Sequence, residues 1–479
     1  MEIFTNLTEL LEHPVFSFFK NISDIPRGSH NEREVVNYIE QWAEHLHLKT
    51  KRDSFNNLLI IKPASQGYEE HKPVILQAHT DMVLEKAEGI KHDFLTDPIH
   101  LHLDGDTLST NGKTTLGADN GIGVATIMAI LCDDLPAPEI HALFTTAEED
   151  DLSGASNIDP SWLTTNRLIN TDNFDEQIIV AGSAGGSGIK LSYPLEKDNN
   201  KYDCATIITV DGLLGGHSGQ DIHKGRANAI VILADILNSL PTKFRISDIQ
   251  GGNYRIAIPR EATATIQFDR NYSEEIEDRI INITDEIKRR YEITDPNINI
   301  STTEAKPSST SYTNTSQIVK LLSLLPNGVN DLFGNHPVVE SSCNVGELYI
   351  KESNLIIVTE IRATYEYGYH DIENKYTILS KLFSAQIHRF ASYPSWIYQE
   401  HSLLRDTVKE QYFRLYGQSL STKITHGGLE LGFFAKKIPN LDAISIGANT
   451  KGLHSPVEQV SVSSVIRSYE LIKNVLKEL

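Results

Sequence analysis

The feature that most constrains this chain is the apolar run Pro73-Val74-Ile75-Leu76, which continues through Gln77 and Ala78 into His79-Thr80-Asp81. The run reads as a buried strand that ends in polar groups. His79 and Asp81 stand two residues apart, so both project from the same side of an extended backbone. A neutral imidazole is a common ligand for a borderline-soft divalent cation. It binds best when its second ring nitrogen donates to a carboxylate, which fixes the tautomer. A polar strand terminus with a capping Asp would have the same spelling, so the pair alone leaves both readings open.

The surrounding sequence repeats this design. Residues 31–47 read as an amphipathic helix with Ser29 or Asn31 as its cap. Residues 57–62, 74–78, 140–145 and 168–170 read as strands, and 121–131 as an apolar helix after a glycine-rich turn. Such alternation predicts an α/β fold with a mostly parallel sheet. Sites in these sheets form beyond the carboxyl ends of the strands, and each acidic or histidine motif here falls at such an end. The small-residue stretch Ala181 to Gly188 marks a hinge or boundary. Beyond it the chain reads as an α+β insertion with two long helices, 227–240 and 273–291, and Tyr393-Pro394-Ser395 as the return. A strand at 442–447 and a helix at 463–478 then resume the first pattern. The expected organisation is therefore 1–187 and 396–479 as two parts of one domain, with 188–395 inserted between them.

A formal net charge of −21 argues against nucleic acid or an anionic membrane as partner, since both need basic surface. No apolar run approaches the roughly 20 residues that span a bilayer. The segment from Met1 to Asn6 lacks the basic and apolar parts of a signal peptide. Cys132, Cys204 and Cys343 are few and far apart, which excludes a disulfide framework or a thiolate zinc knuckle. Cys132, in Ile130-Leu131-Cys132, reads as a small core residue. These features predict a cytoplasmic protein.

Further motifs carry chemistry. In Leu116-Gly117-Ala118-Asp119-Asn120-Gly121-Ile122-Gly123, Asp119 is either a helix cap or a ligand that flanking glycines allow to be approached closely. In Thr145-Thr146-Ala147-Glu148-Glu149-Asp150, one glutamate can bind a metal while its neighbour reaches a water; a solvated acidic turn is the alternative. Asp172 follows the strand Leu168-Ile169-Asn170, and His454 lies in Gly452-Leu453-His454-Ser455-Pro456. Two histidines, several carboxylates and no thiolates suit Zn²⁺, Mn²⁺ or Co²⁺ in a catalytic setting better than a structural zinc. A bridging carboxylate can hold two such ions together, and a nearby Glu can carry a proton from water to a leaving amine.

Together with Gly215-Gly216-His217-Ser218-Gly219 and His426-Gly427-Gly428-Leu429-Glu430, these segments occur in an order that resembles the M20 di-zinc metallopeptidases, and among them the aminoacyl-histidine dipeptidases. The resemblance covers nearly the whole chain. It implies a zinc-peptidase-like catalytic domain with a mostly parallel sheet and an inserted α+β lid domain. Two divalent metal ions are implied, zinc with manganese or cobalt as alternatives. Asp119 would bridge them, His79 and Asp172 would complete one site, and Glu149 and His454 the other. Glu148 would be the general base acting on a metal-bridging water, and Asp81 would orient His79. The peptide bond after Asp119 would be cis. His217 would stabilise the oxyanion, and His223, Arg226, Asn228 and Arg362 are candidates for gripping the substrate, Arg362 the weakest of them, since a surface arginine is its default reading. The sequence departs from the family pattern at Thr80 and at Asp150-Asp151-Leu152, whose added charge would act on Glu148.

The expected activity is hydrolysis of short peptides, Xaa-His dipeptides above all. Deacylation of N-acyl amino acids is the alternative within the family, and a non-catalytic binding protein is the alternative outside it. The expected partner is a small peptide substrate, and the resemblance implies a homodimer formed through the lid.

Overall fold

The structure is a computed structural model that describes residues 4–241, 243–334 and 338–479, so Met1 to Ile3 of the N-terminal segment lie outside the described residues. The chain divides into two compact units. One contains residues 1–183, 396–424 and 429–479; the other contains 184–395 and 425–428.

The first unit is built on an eight-stranded sheet. At its centre run Ile140–Thr145, Val74–His79, Arg167–Asn170 and Asp442–Ser445, and these four are parallel to one another. Lys49–Arg52, Leu58–Lys62 and Ile178–Ser183 flank them as antiparallel strands, with Ser421–Thr425 at the far edge. The central strands Val74–His79 and Ile140–Thr145 are buried throughout. That is the pattern of parallel strands covered on both faces. Between these two strands the chain passes through the helix Ala118–Cys132, in which every residue but the last is buried. Leu76, Ala78, Phe144, Ile169 and Ile444 join that helix and Val465, Ile472 and Val475 in one core.

Register does the positioning. His79 pairs with Thr145 and Gln77 with Asn170, and Asn170 pairs with Ser445. The central strands therefore stop at nearly one level, and the residues that follow them emerge together at the carboxyl end of the sheet.

Several details differ from the sequence reading. The helix expected at 31–47 spans Arg33–His45, and neither Ser29 nor Asn31 caps it; Glu32 occupies the cap position and makes no capping bond. Cys132 is exposed rather than a core residue. It is the last residue of its helix, where the chain leaves the core for the half-buried Asp133 and the exposed Asp134. The small-residue stretch at 181–188 holds the division between the two units, at Ser183 and Ala184, and its residues form parts of the strands Ile178–Ser183 and Gly185–Pro194 and are buried.

The second unit is a nine-stranded antiparallel sheet. Its main path runs Asn299–Ala305, Cys204–Asp211, Ala262–Phe268, Phe244–Gly251, Val339–Lys351, Asn354–Ala363, Gly185–Pro194 and Gln386–Tyr393. The expected helices appear as Ala229–Ser239 and Ser273–Arg290, and two further helices, Thr315–Ser323 and Glu366–Leu382, accompany them. Its core includes Ile208, Ile230, Leu233, Ile266, Ile357 and Ile372.

Candidate active site

At the carboxyl end of the first unit's sheet, two histidines and several carboxylates converge. The His79 Nε2 lies 3.0 Å from Asp119 Oδ1, and the His454 Nε2 lies 3.2 Å from Asp119 Oδ2. The same His454 nitrogen is 3.0 Å from Glu149 Oε1. Potential ligand atoms group as His79, Asp119 and Asp172 on one side, and Asp119, Glu149 and His454 on the other, each within 4.8 Å. Asp119 belongs to both groups. His79, Glu148 and Glu149 form a third overlapping set.

The local chain explains how these groups are presented. Asp119 is no helix cap: Gly117 takes that position with φ 68°, and Asp119 and Asn120 have non-helical dihedrals before the helix proper begins. The Asp119–Asn120 peptide bond is cis. Gly123 permits the bend, because a Cβ there would collide with Asn120 Oδ1 and Thr171 Oγ1. Ala147, a non-glycine residue, sits at φ 52°, an uncommon backbone state that needs surrounding support. Glu32 Oε1 provides it by accepting the Ala147 N–H at 2.8 Å. With the turn held so, the backbone N–H groups of Glu148 and Glu149 donate to Asp81 Oδ1 and Oδ2 at 3.1 and 3.0 Å. Ser29, expected as a helix cap, instead donates its hydroxyl to Asp81 Oδ2 at 2.8 Å. Asp81 Oδ1 also lies 3.3 Å from His79 Nδ1, so one buried carboxylate ties the His79 strand end to the Glu148–Glu149 turn.

Two more buried ionisable side chains brace the ligand-bearing loops, and neither belongs to a motif in the sequence. The Arg27 guanidinium donates to the carbonyls of Thr80, Asp81 and Gly117. The Glu458 carboxylate accepts the backbone N–H groups of Leu116, Gly117, Ala118 and Asp119 at 2.8 to 3.3 Å. Both are about 2% exposed. Glu458 stands four residues after His454, so a single side chain links the His454 loop to the Asp119 loop.

Electrostatics divide the cluster. Burial works against a charged His79 and a charged His454, yet hydrogen bonds to Asp119, with further help from Asp81 and from Glu149 respectively, raise both imidazoles above their ordinary range. Burial likewise opposes a charged Asp119, and the two imidazoles overcome it and hold that carboxyl low. The other acids go the opposite way. Burial and then neighbouring acids push Glu148 and Asp172 well up, and burial followed by Asp119 brings Glu149 to about 7. The acids that act on Glu148 are Glu149, Asp172 and Glu430. Asp150, expected to act on Glu148, pairs with the exposed His30 at 2.8 Å.

This donor set fits divalent cations. It offers hard oxygen and borderline nitrogen ligands in two groups that share one carboxylate, a composition suited to Zn²⁺, Mn²⁺ or Co²⁺. Glu149 Oε1 is buried and makes no hydrogen bond despite its closeness to the His454 ring. Such an orphan acceptor, among acids raised by mutual repulsion, is what a bound cation would satisfy.

The remaining expected residues belong to the second unit. The His217 Nδ1 accepts the N–H groups of Gly219 and Gln220 at 3.2 and 3.1 Å, and His223 is exposed. Arg226 donates to the Gly215 carbonyl and lies 3.7 Å from Asp221. Arg362 is buried rather than a surface arginine: it donates to Tyr393 Oη at 2.7 Å and Ser218 Oγ at 3.3 Å. Asn228 is a correction. Its side-chain oxygen caps the helix Ala229–Ser239, and its amide donates to Asn327 and the Val345 carbonyl, so a buried residue expected to grip substrate is occupied as a brace. His426, in a sequence motif without an assigned role, bonds Ser342 Oγ at 2.7 Å.

Residues 208–295 match the family model described as the M20 peptidase dimerisation domain. The chain is 35% identical over 99% of its length to the cytosol non-specific dipeptidase of Escherichia coli K12, of which it covers 99%. Its fold matches the crystal structure of aminoacylhistidine dipeptidase from Vibrio alginolyticus with a TM-score of 0.86 and 32% identity, covering 99% of this chain and 97% of that one. The aminopeptidase PepT of Bacillus cereus shares the fold at a TM-score of 0.56 and 14% identity, with 98% of each chain covered. The chain belongs to the M20 peptidase family.

Two outcomes are expected from this geometry. Glu458→Ala leaves four buried N–H groups without their acceptor and removes the carboxylate that acts most strongly on the buried Arg27 charge. It should lower the unfolding free energy by about 3 kcal/mol or more, with Glu458→Gln intermediate, as read by urea denaturation. The second concerns His426, which burial and then the Arg362 charge lower to about 3. The unfolded imidazole takes up a proton below its ordinary value near 6.5, while the folded one stays neutral. Stability is thus lost as pH falls from that value towards the lowered one, by at most about 1.4 kcal/mol per pH unit. Unfolding free energies of His426→Gln between about pH 6.5 and 4.5 should fall less steeply than those of the unaltered protein.

Proposed function

We propose that this protein is a cytoplasmic metal-dependent dipeptidase that hydrolyses short peptides, with Xaa-His dipeptides as its preferred class. The observation that carries this reading is the position of Asp119 in two ligand groups at once, with Glu148 beside them. In this proposal His79, Asp119 and Asp172 hold one divalent cation, and Asp119, Glu149 and His454 hold the second, with zinc preferred. Bound cations would polarise the scissile carbonyl and ease deprotonation of water.

The protein's own residues do the rest. Glu148 takes the proton from water as the oxygen adds to the peptide carbon, then delivers that proton to the departing amine when the C–N bond breaks. A dipeptide and a water thus become two amino acids. Burial, and after it the surrounding acids, suit Glu148 to this cycle, because they make its carboxylate a stronger base than an isolated one. Asp81 keeps His79 oriented and, through its two backbone acceptances, holds Glu148 in place. For His217, His223, Arg226 and Arg362, the family resemblance supports a part in binding the substrate or its oxyanion. The names of the two relatives, one a non-specific dipeptidase and one an aminoacylhistidine dipeptidase, support a dipeptide as substrate.

Metal-stripped protein should be inert towards β-Ala-His, Gly-His and Leu-Leu and regain activity on addition of Zn²⁺, Mn²⁺ or Co²⁺. Glu148→Gln should lower kcat by about 10²- to 10⁴-fold while retaining its metal. Hydrolysis confined to N-acyl amino acids would reassign the enzyme as a deacylase, and near-normal turnover in Glu148→Gln would overturn the mechanism. The match to a dimerisation domain also supports a homodimer. Light scattering should give twice the 53.5 kDa chain mass, and a monomeric mass would refute it.

A further inference from the structure

The motif His426-Gly427-Gly428-Leu429-Glu430 ends in a glutamate with no part in the mechanism above. Glu430 is 1% exposed. Its Oε2 accepts from Gln77 Nε2 at 2.6 Å and from Thr145 Oγ1 at 2.9 Å. Gln77 Oε1 in turn accepts from Asn170 Nδ2 at 2.6 Å, and Asn170 is paired with Gln77 in the neighbouring parallel strand. The chain of bonds ends where Asn170 Oδ1 accepts the backbone N–H of Asp172 at 3.1 Å. Gln77, Thr145 and Asn170 are, like Glu430, buried.

We propose that Glu430 is a positioning residue that sets the direction of this buried amide relay and thereby fixes Asp172 for cation binding. The argument is one of donors and acceptors. A side-chain amide has one face that donates and one that accepts, and in a buried setting it takes the orientation that satisfies both. Glu430 Oε2 accepts from Thr145 as well as from Gln77 and stays an acceptor whether or not Oε1 carries a proton, so it obliges Gln77 to point its NH₂ towards it. The Gln77 oxygen then faces Asn170, whose NH₂ must turn to meet it. That leaves the Asn170 oxygen aimed at the Asp172 N–H. Without an acceptor at position 430, the Gln77 NH₂ keeps only Thr145 Oγ1, 3.1 Å away, a hydroxyl that can donate as well as accept, so neither orientation of Gln77 is imposed. An inverted relay would set the Asn170 NH₂ against the Asp172 N–H, donor against donor. Thr145, held by the same carboxylate, is the last residue of the strand that leads to Glu148 and Glu149, so both flanks of the ligand cluster rest on one side chain.

The inference rests on the proposal that Asp172 is a metal ligand, and the experiment separates the two. Zn²⁺ affinity of the metal-free full-length protein is measured by competition with a chromophoric chelator, alongside thermal unfolding of the same metal-free samples. Asp172→Ala tests the underlying reading; unchanged affinity there would remove the ligand assignment itself. Given a loss in Asp172→Ala, Glu430→Ala should weaken Zn²⁺ binding by about 10- to 100-fold, the usual range for groups that orient metal ligands. The exchange variant Gln77→Glu with Glu430→Gln keeps the relay's direction. The amide at 430 donates from the place of Glu430 Oε2, and the new carboxylate at 77 accepts from it, from Asn170 and from Thr145, whose hydroxyl stands 3.1 Å from that end of residue 77. It should recover to within about threefold of the unaltered affinity, which a general packing defect would not do. Asn170→Asp cannot donate to Gln77 and should lose affinity as Glu430→Ala does. Unchanged Zn²⁺ affinity in Glu430→Ala, or failure of the exchange variant to recover while its unfolding temperature is normal, would overturn the proposal.

Discussion

The structure of the first unit depends on gathering more negative charge than its own side chains neutralise. Asp119, Glu148, Glu149, Asp172 and Glu430 are set around His79 at the end of a buried sheet, and among the described residues one further imidazole, that of His454, joins them. Taking carboxylates out of water is costly unless each is paired or hydrogen-bonded. The chain meets that demand unevenly. Asp119 has both imidazoles, and Asp81 and Glu458 each accept several N–H groups. Glu148, Glu149 and Asp172 lack comparable support and are pushed up by burial and by one another. The residual imbalance is what makes the cluster a receptor for cations, and it also prepares Glu148 to act as a base.

The scaffold is arranged to hold this imbalance in place. Parallel strands in register bring His79, the 145–149 turn and Asp172 to one level without long connecting loops. Buried groups then fix the loops that carry the ligands. Arg27 holds the backbone after His79, Glu458 holds the backbone before Asp119, and Glu32 holds the turn before Glu148. Each works on backbone groups, so it sets where a ligand side chain starts without competing for the ligand atoms. A site built this way keeps its geometry when repulsion among the acids would otherwise spread them apart.

Most of the groups that converge at the site were legible in sequence because His79, Glu148, Glu149 and Asp172 sit within a few residues of a strand end, where apolar runs give way abruptly to His, Asp or Glu, while Asp119 stands between glycines at the start of an apolar helix. The alternation of strands and helices was legible for the same reason. The supports were not. Glu458 meets its partners 339 to 342 residues away along the chain, and Arg27 reaches Gly117 across 90, so nothing local distinguishes them from surface charges. Glu430 was visible as part of a motif, but its role appears only when Gln77 and Asn170 lie side by side. Asn228 shows the opposite limit: residue type suggested ligand binding, and burial gave it a helix to cap. The helix Glu366–Leu382 escaped notice because its buried face is made of Gly368, Ile372, Tyr376 and Leu379, too mixed to read as an apolar stripe.

The most direct test of the account is the number of Zn²⁺ ions held by one chain, measured by elemental analysis after dialysis, in the unaltered protein and in Asp119→Asn, Asp172→Asn and Glu149→Gln. Because Asp119 is common to both ligand groups, the account predicts about two ions per chain, about one in Asp172→Asn and Glu149→Gln, and close to none in Asp119→Asn. A single ion in the unaltered protein, or an Asp119→Asn variant that retains its full complement, would contradict it.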